Sequence, residues 1–339
     1  MLLAKKGPVM LVVGTRPEGI KMAPVYLALK QAGIDVLLCS TTQHDQLLTQ
    51  ALGLFGIKPD FNLGIMRLDQ SLFYMTQSIL QKTKELFIQV KPSVVVVQGD
   101  TTSTMSASLS AFYLNIPVVH LEAGLRTDDI RSPFPEEMNR RFVTTLATYH
   151  CAPTQLAYQN LIQQGIDHKK IFCTGNTVVD ALRIIKEKIS LGYISVRADI
   201  KQLIIDAKKN NIRIILFTAH RRESFGEGLA RIFSAIKQFC KQNQKVICIY
   251  PYHPNPQVMH AIQDARFSDL PNIFIYEPLL YQELVHVLEH ADCVITDSGG
   301  IQEEAVSLGK KVVVLREKTE RMEGVLAGLA VIVGTDPDQ

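Results

Sequence analysis

Short runs of β-branched and apolar residues alternate with longer amphipathic segments along the whole chain, and this alternation restricts the fold more than any other feature. The pattern is typical of repeated βα units, which build a parallel sheet covered by helices on both faces. Such sheets gather their loops and helix N-termini at the carboxyl ends of the strands. The sequence therefore predicts an α/β protein.

The predicted strands fall into two groups, separated by a helical stretch from about residue 176 to 209. The first group is predicted at 9–13, 35–41, 93–97, 117–121, 150–152 and 171–174, and the second at 213–218, 245–250, 273–276, 293–296 and 311–315. A chain of 339 residues is long enough for two domains. We predict two doubly wound, Rossmann-like domains, residues 1–180 and 181–339, with the active site in the interdomain cleft.

Charge and cysteine usage exclude several classes of protein. The net charge is only +3 and forms no basic stripe, so nucleic acid is not an expected partner. No apolar run reaches the ~18 residues of a membrane span, and the apolar run at the start of the sequence is too short for a signal peptide. We therefore expect no membrane partner and a cytoplasmic location. Six single cysteines without a CxxC pair predict buried thiols. They are Cys39, Cys151, Cys173, Cys240, Cys248 and Cys293.

A turn suited to phosphate follows the first strand. In Gly14-Thr15-Arg16-Pro17-Glu18 the proline suits a first helical turn, which places Arg16 and Lys21 near a helix N-terminus, where anions are favoured. An ordinary βα turn with solvated basic residues is the alternative. The absence of a GxGxxG fingerprint argues against a bound dinucleotide. No cofactor is predicted.

A second turn, after the strand ending near Thr296, is a stronger phosphate signal. Gly299 and Gly300 let the backbone approach a diphosphate, Ser298 can donate or cap, and Glu304 can accept the hydroxyls of a ribose. The alternative is a capped helix with acidic residues in its first turn.

Carboxylates at the ends of two further strands are candidates for acid–base chemistry. Asp100 follows one strand, although it would need no function if it were an N-cap. Glu122 ends the next strand. Glu136 and Glu137 open a helix whose start is set by prolines, and each also has an arginine four residues later, the spacing of a solvated salt bridge.

Histidines give one candidate site in the C-terminal domain. His220 lies at a strand end beside two arginines, where it can meet phosphate or act as an acid or base. His286 and His290 have the i,i+4 spacing of a metal pair, but neighbouring glutamates indicate a solvated helix face. Because no third ligand motif is apparent, no metal is predicted.

Seven segments resemble one family in order and spacing: GTRPE, QGDT, HLEAGLRT, SPFPEEMNR, CTGNTVVD, TAHRRESFG and TDSGGIQEEA are similar to motifs of the non-hydrolysing UDP-N-acetylglucosamine 2-epimerases. The resemblance covers nearly the whole chain. It implies the two-domain architecture of B-type glycosyltransferases (GT-B), interconversion of UDP-N-acetylglucosamine and UDP-N-acetylmannosamine, and a homodimer. It also implies a nucleotide site of Arg16, Lys21, Ser298, Gly299, Gly300 and Glu304, and a sugar site of Asp100, Glu122, Glu136 and His220.

Some positions depart from the family pattern. Certain members bind a second, activating UDP-sugar, and the matching positions here are Gln43, Gln46, Arg221 and His253. Asp69 stands where those members carry arginine, which argues against activation. Met322 replaces a usual proline and Leu280 a usual aspartate. Relatives also continue into a terminal helix that returns to the first domain, whereas this sequence ends shortly after an expected strand; either the sequence is a fragment or its closure differs.

Inversion at C2 of the N-acetylglucosamine ring cannot proceed by simple deprotonation, because no carbonyl adjacent to C2 makes its proton acidic. Elimination of UDP across C1 and C2 would give a 2-acetamidoglucal, and UDP would re-add as a proton reaches the opposite face. A glycosyltransferase of the same fold, a hydrolysing epimerase and a non-catalytic UDP-sugar sensor are the alternatives. The first would turn over only with an acceptor, the second would release free N-acetylmannosamine, and the third would bind without turnover.

Overall fold

The computed structural model describes residues 7–41, 46–65, 67, 70–127, 129–221, 224–319 and 321–336. The chain divides into two compact units, Met1–Ala181 and Leu182–Gln339, which we call the N-terminal and C-terminal units. The prediction of two doubly wound α/β domains is confirmed, because each unit contains its own parallel sheet flanked by helices.

The sheet of the N-terminal unit has seven parallel strands: β1 (Val9–Val13), β2 (Val36–Ser40), β3 (Phe61–Asn62), β4 (Val94–Gln98), β5 (Val118–Leu121), β6 (Tyr149–Ala152) and β7 (Ile171–Cys173). Their order is β3-β2-β1-β4-β5-β6-β7. The strand order reverses between β1 and β4, and such a switch point opens a crevice at the carboxyl ends of the strands.

The helices of this unit are α1 (Arg16–Gln31), α2 (Gln46–Leu54), α3 (Leu72–Val90), α4 (Thr102–Tyr113), α5 (Glu136–Leu146) and α6 (Gln155–Gln163), and α7 (Thr177–Ser190) leads into the next unit. Small buried residues such as Ser106 and Ala107 line α4. They allow α4 to pack closely between α3 and α5 and against β1 and β4. The position of α4 therefore fixes the switch point.

The C-terminal unit repeats this plan with six parallel strands: β8 (Arg213–Thr218), β9 (Val246–Pro251), β10 (Ile273–Tyr276), β11 (Cys293–Thr296), β12 (Lys311–Val314) and β13 (Ala330–Ile332). The order β10-β9-β8-β11-β12-β13 places a second switch point between β8 and β11. Its other helices are α8 (Ala198–Lys209), α9 (Glu227–Gln242), α10 (Pro256–Ala265), α11 (Tyr281–His290), α12 (Gly299–Ser307) and α13 (Met322–Leu326).

Both faces of this second sheet are buried, which explains its continuous apolar strands. Alternate residues of β8 point to opposite faces, so Leu216 joins one hydrophobic cluster and Phe217 the other. The Phe217 ring lies 4.7 Å from that of Tyr250, and Phe233 lies 5.0 Å from Phe267. The aromatic cluster anchors α9 beneath the end of β8.

The structure adds to two expectations and corrects a third. The two-residue strand β3 was not predicted, because two partly exposed residues carry no periodicity. The stretch predicted as helical from about 176 to 209 contains two helices, α7 and α8, and Gly192 at φ 77° lies in the segment that separates them. Cys173 is exposed on the short edge strand β7 and Cys151 and Cys293 are half-buried, so only the remaining three cysteines are buried thiols. Within the described part of the chain, no helix has the length and apolarity to cross a membrane.

Candidate functional site

Polar side chains meet at the switch point of the N-terminal sheet. The loop after β1 leads directly into α1, with Arg16 as its first residue and Pro17 in the first turn. The loop after β4 contains Gly99 and Asp100. Because β1 and β4 are neighbours in the sheet, these two loops lie side by side, as the predicted βα units require.

Glu18 joins the two loops and was not assigned a role from the sequence. Its buried carboxylate accepts hydrogen bonds from the Gly14 amide (2.8 Å) and from the hydroxyls of Thr101 (2.6 Å) and Thr104 (2.8 Å). Burial raises the pKa of Glu18 above its usual 4.5. A Cβ at Gly14 would lie 2.1 Å from the Ser103 hydroxyl, so glycine is required where α4 approaches β1.

Glu122 is held by donors from three parts of the N-terminal unit. Lys21 Nζ lies 2.7 and 2.6 Å from its two carboxylate oxygens, and both side chains are buried. Asn176 donates to it at 3.2 Å, and Gln98 also hydrogen-bonds it. Glu122 has φ 59°, an unfavourable backbone angle for a non-glycine residue. Lys21, predicted to hold the nucleotide, therefore contacts a carboxylate predicted to face the sugar.

Asp100 is fixed by α5. Its Oδ2 pairs with Arg140 Nη2 at 2.5 Å, its carbonyl accepts from Asn139 at 2.9 Å, and the side chain is 25% exposed. The alternative of Asp100 as an N-cap is wrong, because the Thr101 hydroxyl accepts from the Thr104 amide and caps α4. Asp100 therefore presents a positioned carboxylate beside the β1 loop.

The two glutamates that begin α5 have different environments. Glu137 is fully buried and binds Arg141 Nε at 2.7 Å and the Thr127 amide at 3.1 Å, so its interpretation as a solvated salt bridge is wrong. Glu136 is half-buried. It lies one turn before Arg140, which pairs with Asp100 and Glu137 and not with Glu136 in the described structure. Glu136 therefore lies on the helix face that approaches Asp100.

His120, from the same motif as Glu122, supports the loop instead of joining the acid–base groups. It is fully buried on β5, and its Nε2 lies 2.7 Å from the Gly99 carbonyl. Burial lowers the pKa of His120 to about 3, so the ring is neutral and Nε2 is the donor. This hydrogen bond holds the backbone immediately before Asp100.

At the switch point of the C-terminal sheet, a buried aspartate holds the predicted histidine. Asp297 Oδ2 accepts from the amides of His220 (2.6 Å) and Arg221 (2.7 Å), and its Oδ1 lies 3.3 Å from His220 Nδ1. Asp297 is fully buried, whereas the His220 side chain is 33% exposed. The Nδ1 nitrogen therefore lies at ion-pair distance from a carboxylate whose own hydrogen bonds fix the backbone of His220 and Arg221. Sequence reasoning missed this role, although Asp297 lies in a motif it singled out.

The four residues of the predicted second UDP-sugar site are only partly brought together. The rings of His220 and His253 stack at 5.3 Å with an angle of 8°, and Arg221 is next to His220. Gln46 is the exposed first residue of α2 in the other unit. Gln43 and the departing position Asp69 lie outside the described residues, so this prediction remains untested.

The predicted diphosphate turn begins α12. Ser298 is the N-cap residue, but its hydroxyl forms no capping bond within the described structure; instead its amide donates to Thr296 Oγ1 at 2.9 Å. A Cβ at Gly300 would meet no heavy atom within 4 Å, so packing within the protein does not require glycine there. Glu304 is buried and accepts from the Tyr281 hydroxyl at 3.0 Å. This turn therefore combines the backbone N–H groups of a helix N-terminus with a glycine backbone that a ligand can approach, as anion sites do.

These features define a class of protein. When the strands are numbered from the first strand of each unit, both sheets contain the order 3-2-1-4-5-6, and each has polar groups at its switch point. This is the two-Rossmann-domain, GT-B-like class that the sequence predicted.

Comparison with known proteins identifies the family. The family described as UDP-N-acetylglucosamine 2-epimerase matches residues 27–339. The UDP-N-acetylglucosamine 2-epimerases of Yersinia pestis and Salmonella typhimurium are each 45% identical over 97% of this chain and 87% of their own length. The crystal structure of UDP-GlcNAc 2-epimerase from Neisseria meningitidis bound to UDP-GlcNAc matches with a TM-score of 0.90 and 44% identity, over 98% of this chain and 88% of that one. The chain belongs to the UDP-N-acetylglucosamine 2-epimerase family, whose members are isomerases.

Proposed function

We propose that this protein interconverts UDP-N-acetylglucosamine and UDP-N-acetylmannosamine by elimination and re-addition of UDP. The observation that supports this most is the arrangement at the switch point of the N-terminal sheet, where Glu122 and Asp100 are each held by a basic side chain. Membership of the epimerase family gives these carboxylates a substrate. A binding protein would need neither of them.

In the proposed reaction a carboxylate removes the C2 proton while the C1–oxygen bond breaks, and the bonding electrons leave with UDP. The products of this step are UDP and 2-acetamidoglucal. In the reverse addition a diphosphate oxygen attacks C1 and an acid delivers a proton to the other face of C2. Because the proton leaves one face of C2 and another arrives at the opposite face, acid–base groups are needed on both sides of the sugar. Asp100, Glu122 and Glu136 are the candidates. Hydrogen bonds to Glu122 stabilise its charge and fix its direction.

The nucleotide is proposed to bind the C-terminal unit. The diphosphate would lie on the Ser298–Gly300 turn, with Glu304 near the ribose, because this helix end favours anions. His220 and Arg16 would offset charge on the leaving diphosphate. The interdomain cleft remains our prediction for where the two groups of residues meet. No metal and no nicotinamide takes part in this route.

Turnover in D2O tests the mechanism. Protein is incubated with UDP-N-acetylglucosamine alone, and the C2 epimer is analysed by NMR and mass spectrometry. We expect deuterium at C2 of the product, because the abstracted proton is lost to solvent and another is delivered. Retention of the original hydrogen would exclude elimination. Dependence on an acceptor, release of free N-acetylmannosamine, or binding without turnover would favour the glycosyltransferase, hydrolysing epimerase or sensor, respectively.

We also propose that the protein is a homodimer. Large apolar side chains are exposed on the neighbouring helices α3 and α4, among them Phe73 (88%), Phe112 (53%) and Tyr113 (67%). Exposed aromatic groups of this kind favour burial against a second copy. Sedimentation velocity should show a dimer, and Phe112→Glu with Tyr113→Glu should shift it toward monomer, whereas a monomeric wild type would refute the proposal.

A further inference from the structure

Three potential ligands cluster on the last turn of α11. His286, Glu289 and His290 each offer one nitrogen or oxygen atom, and these atoms all lie within 4.8 Å of one another. The three side chains are half-buried. In a helix, residues at i, i+3 and i+4 share one face, so the backbone itself brings the groups together. Glu289 is the third group that sequence reasoning did not recognise.

Two imidazoles and a carboxylate suit Zn²⁺ and similar divalent transition ions, for which these are common ligands. The Nδ1 atom of His286 is buried and has no hydrogen-bond partner in the described structure.

Two lysines already place positive charge on these ligands. Lys208 Nζ lies 3.1 Å from His290 Nδ1, and Lys186 Nζ lies 3.0 Å from a Glu289 carboxylate oxygen. Both ammonium groups compete with an ion for polar atoms of the candidate ligands. Lys310 and Lys201 also add positive charge nearby. An ion must therefore displace mobile side chains, which weakens its binding but leaves the ligand geometry intact.

We propose that His286, Glu289 and His290 form a binding site for a divalent transition ion of the Zn²⁺ type. The site is separate from the proposed nucleotide turn. Tyr281 begins α11 and contacts Glu304, whereas His290 ends the same helix nine residues later, about 13.5 Å away at ~1.5 Å per residue. The ion would therefore stabilise the folded C-terminal unit and take no part in epimerisation.

Calorimetric titration with Zn²⁺ and thermal unfolding with and without Zn²⁺ test the site. We expect saturable binding and a higher Tm, since an ion that binds only the folded state stabilises it. His286→Asn and His290→Asn should each remove one bound ion and the Tm increase. His260→Asn is the matched control, because His260 also has a carboxylate four residues later, Asp264 at 2.9 Å, but no second histidine.

Lys208→Met gives a test in the opposite direction. Removal of the ammonium that competes for His290 should tighten Zn²⁺ binding about tenfold or more, while the Tm without metal changes little because this pair is exposed. The proposal is wrong if neither the wild type nor Lys208→Met binds an ion that the His286 and His290 variants lose. It is also wrong if His260→Asn removes the same ion.

Discussion

At the residue scale, the most informative side chain is Asp297, which was not predicted to contact the nucleotide or the sugar. One oxygen of this buried carboxylate accepts from the amides of His220 and Arg221, which follow β8, and the other lies near His220 Nδ1. A single side chain therefore contacts both the loop and the ring. A carboxylate beside Nδ1 leaves Nε2 as the ring nitrogen that can meet a ligand. We infer that Asp297 is a positioning residue for His220.

Asp297→Asn should reduce kcat by about 10²- to 10⁴-fold, because the neutral amide no longer places a negative charge beside His220 Nδ1. Adding His220→Asn to this variant should cost little more, since the two residues act as one unit. Asp292→Asn is the matched control, because Asp292 also accepts from a backbone amide, that of Ile214 at 2.8 Å, but at the opposite end of β8 from His220. Additive losses in the double variant would argue against the assignment.

Glu18 gives a pH dependence of stability. The single hydroxyl proton of Thr104 is shared between the Gln98 carbonyl (2.7 Å) and Glu18 (2.8 Å), so it stabilises the buried Glu18 carboxylate only in part. Because the folded pKa is raised above 4.5, folding is favoured most below pH 4.5 and loses that contribution as pH rises through the folded pKa.

Glu18→Gln keeps the shape and removes the titration. The Tm of Glu18→Gln minus that of the wild type, measured by circular dichroism, should therefore increase as the pH is raised from 4.5 to 8. Glu85→Gln, on the exposed face of α3, should show no such trend. A relative Tm that falls with rising pH would mean that the ionised form of Glu18 is the one the fold prefers.

At the element scale, apolar runs were sufficient to place most strands, whereas side-chain partners were beyond sequence reasoning. The bounds predicted for β1, β8, β10 and β11 are those observed, because buried parallel strands are continuous apolar runs. Strand ends then located Asp100, Glu122 and His220. Their partners Arg140, Lys21 and Asp297 are 40, 101 and 77 residues away, and no local pattern links them.

The N-terminus of α11 shows what a family departure does to an element. Leu280 has the extended backbone of an N-cap residue (φ −64°, ψ 155°), but it has no side-chain acceptor for the first amides of the helix. Only the carboxylate of Glu283 reaches back, to the Leu280 amide at 2.9 Å. The helix therefore has half of a capping box.

Leu280→Asp should stabilise the C-terminal unit by about 1 kcal/mol, because the carboxylate adds a side-chain acceptor for the amides of the first turn and suits the positive helix end. For a unit of this size the Tm should rise by ~2–4 °C. Leu280→Ala, which removes the same apolar side chain without adding an acceptor, is the control for differential scanning calorimetry. An aspartate variant no more stable than the alanine variant would show that the cap is not limiting.

At the scale of the whole molecule, two copies of one sheet plan carry different groups at their switch points. The N-terminal unit gathers carboxylates held by basic residues, whereas the C-terminal unit offers a helix N-terminus with two glycines and a histidine. Carboxylates suit proton transfer and the helix end suits phosphate. We therefore expect the two units to divide catalysis and nucleotide binding between them.

This division predicts two opposite phenotypes. Glu122→Gln should lower kcat about 10²- to 10⁴-fold, as loss of an acid–base group does, while UDP affinity measured by calorimetry changes less than about twofold. Gly300→Val should instead weaken UDP binding about tenfold or more, because its side chain enters open space at the turn without clashing with the described protein. Gly53→Val, at a helical glycine with equally open surroundings, controls for the substitution itself. If Glu122→Gln loses UDP binding, or Gly300→Val keeps full affinity, the nucleotide does not bind as proposed and the two units share their roles.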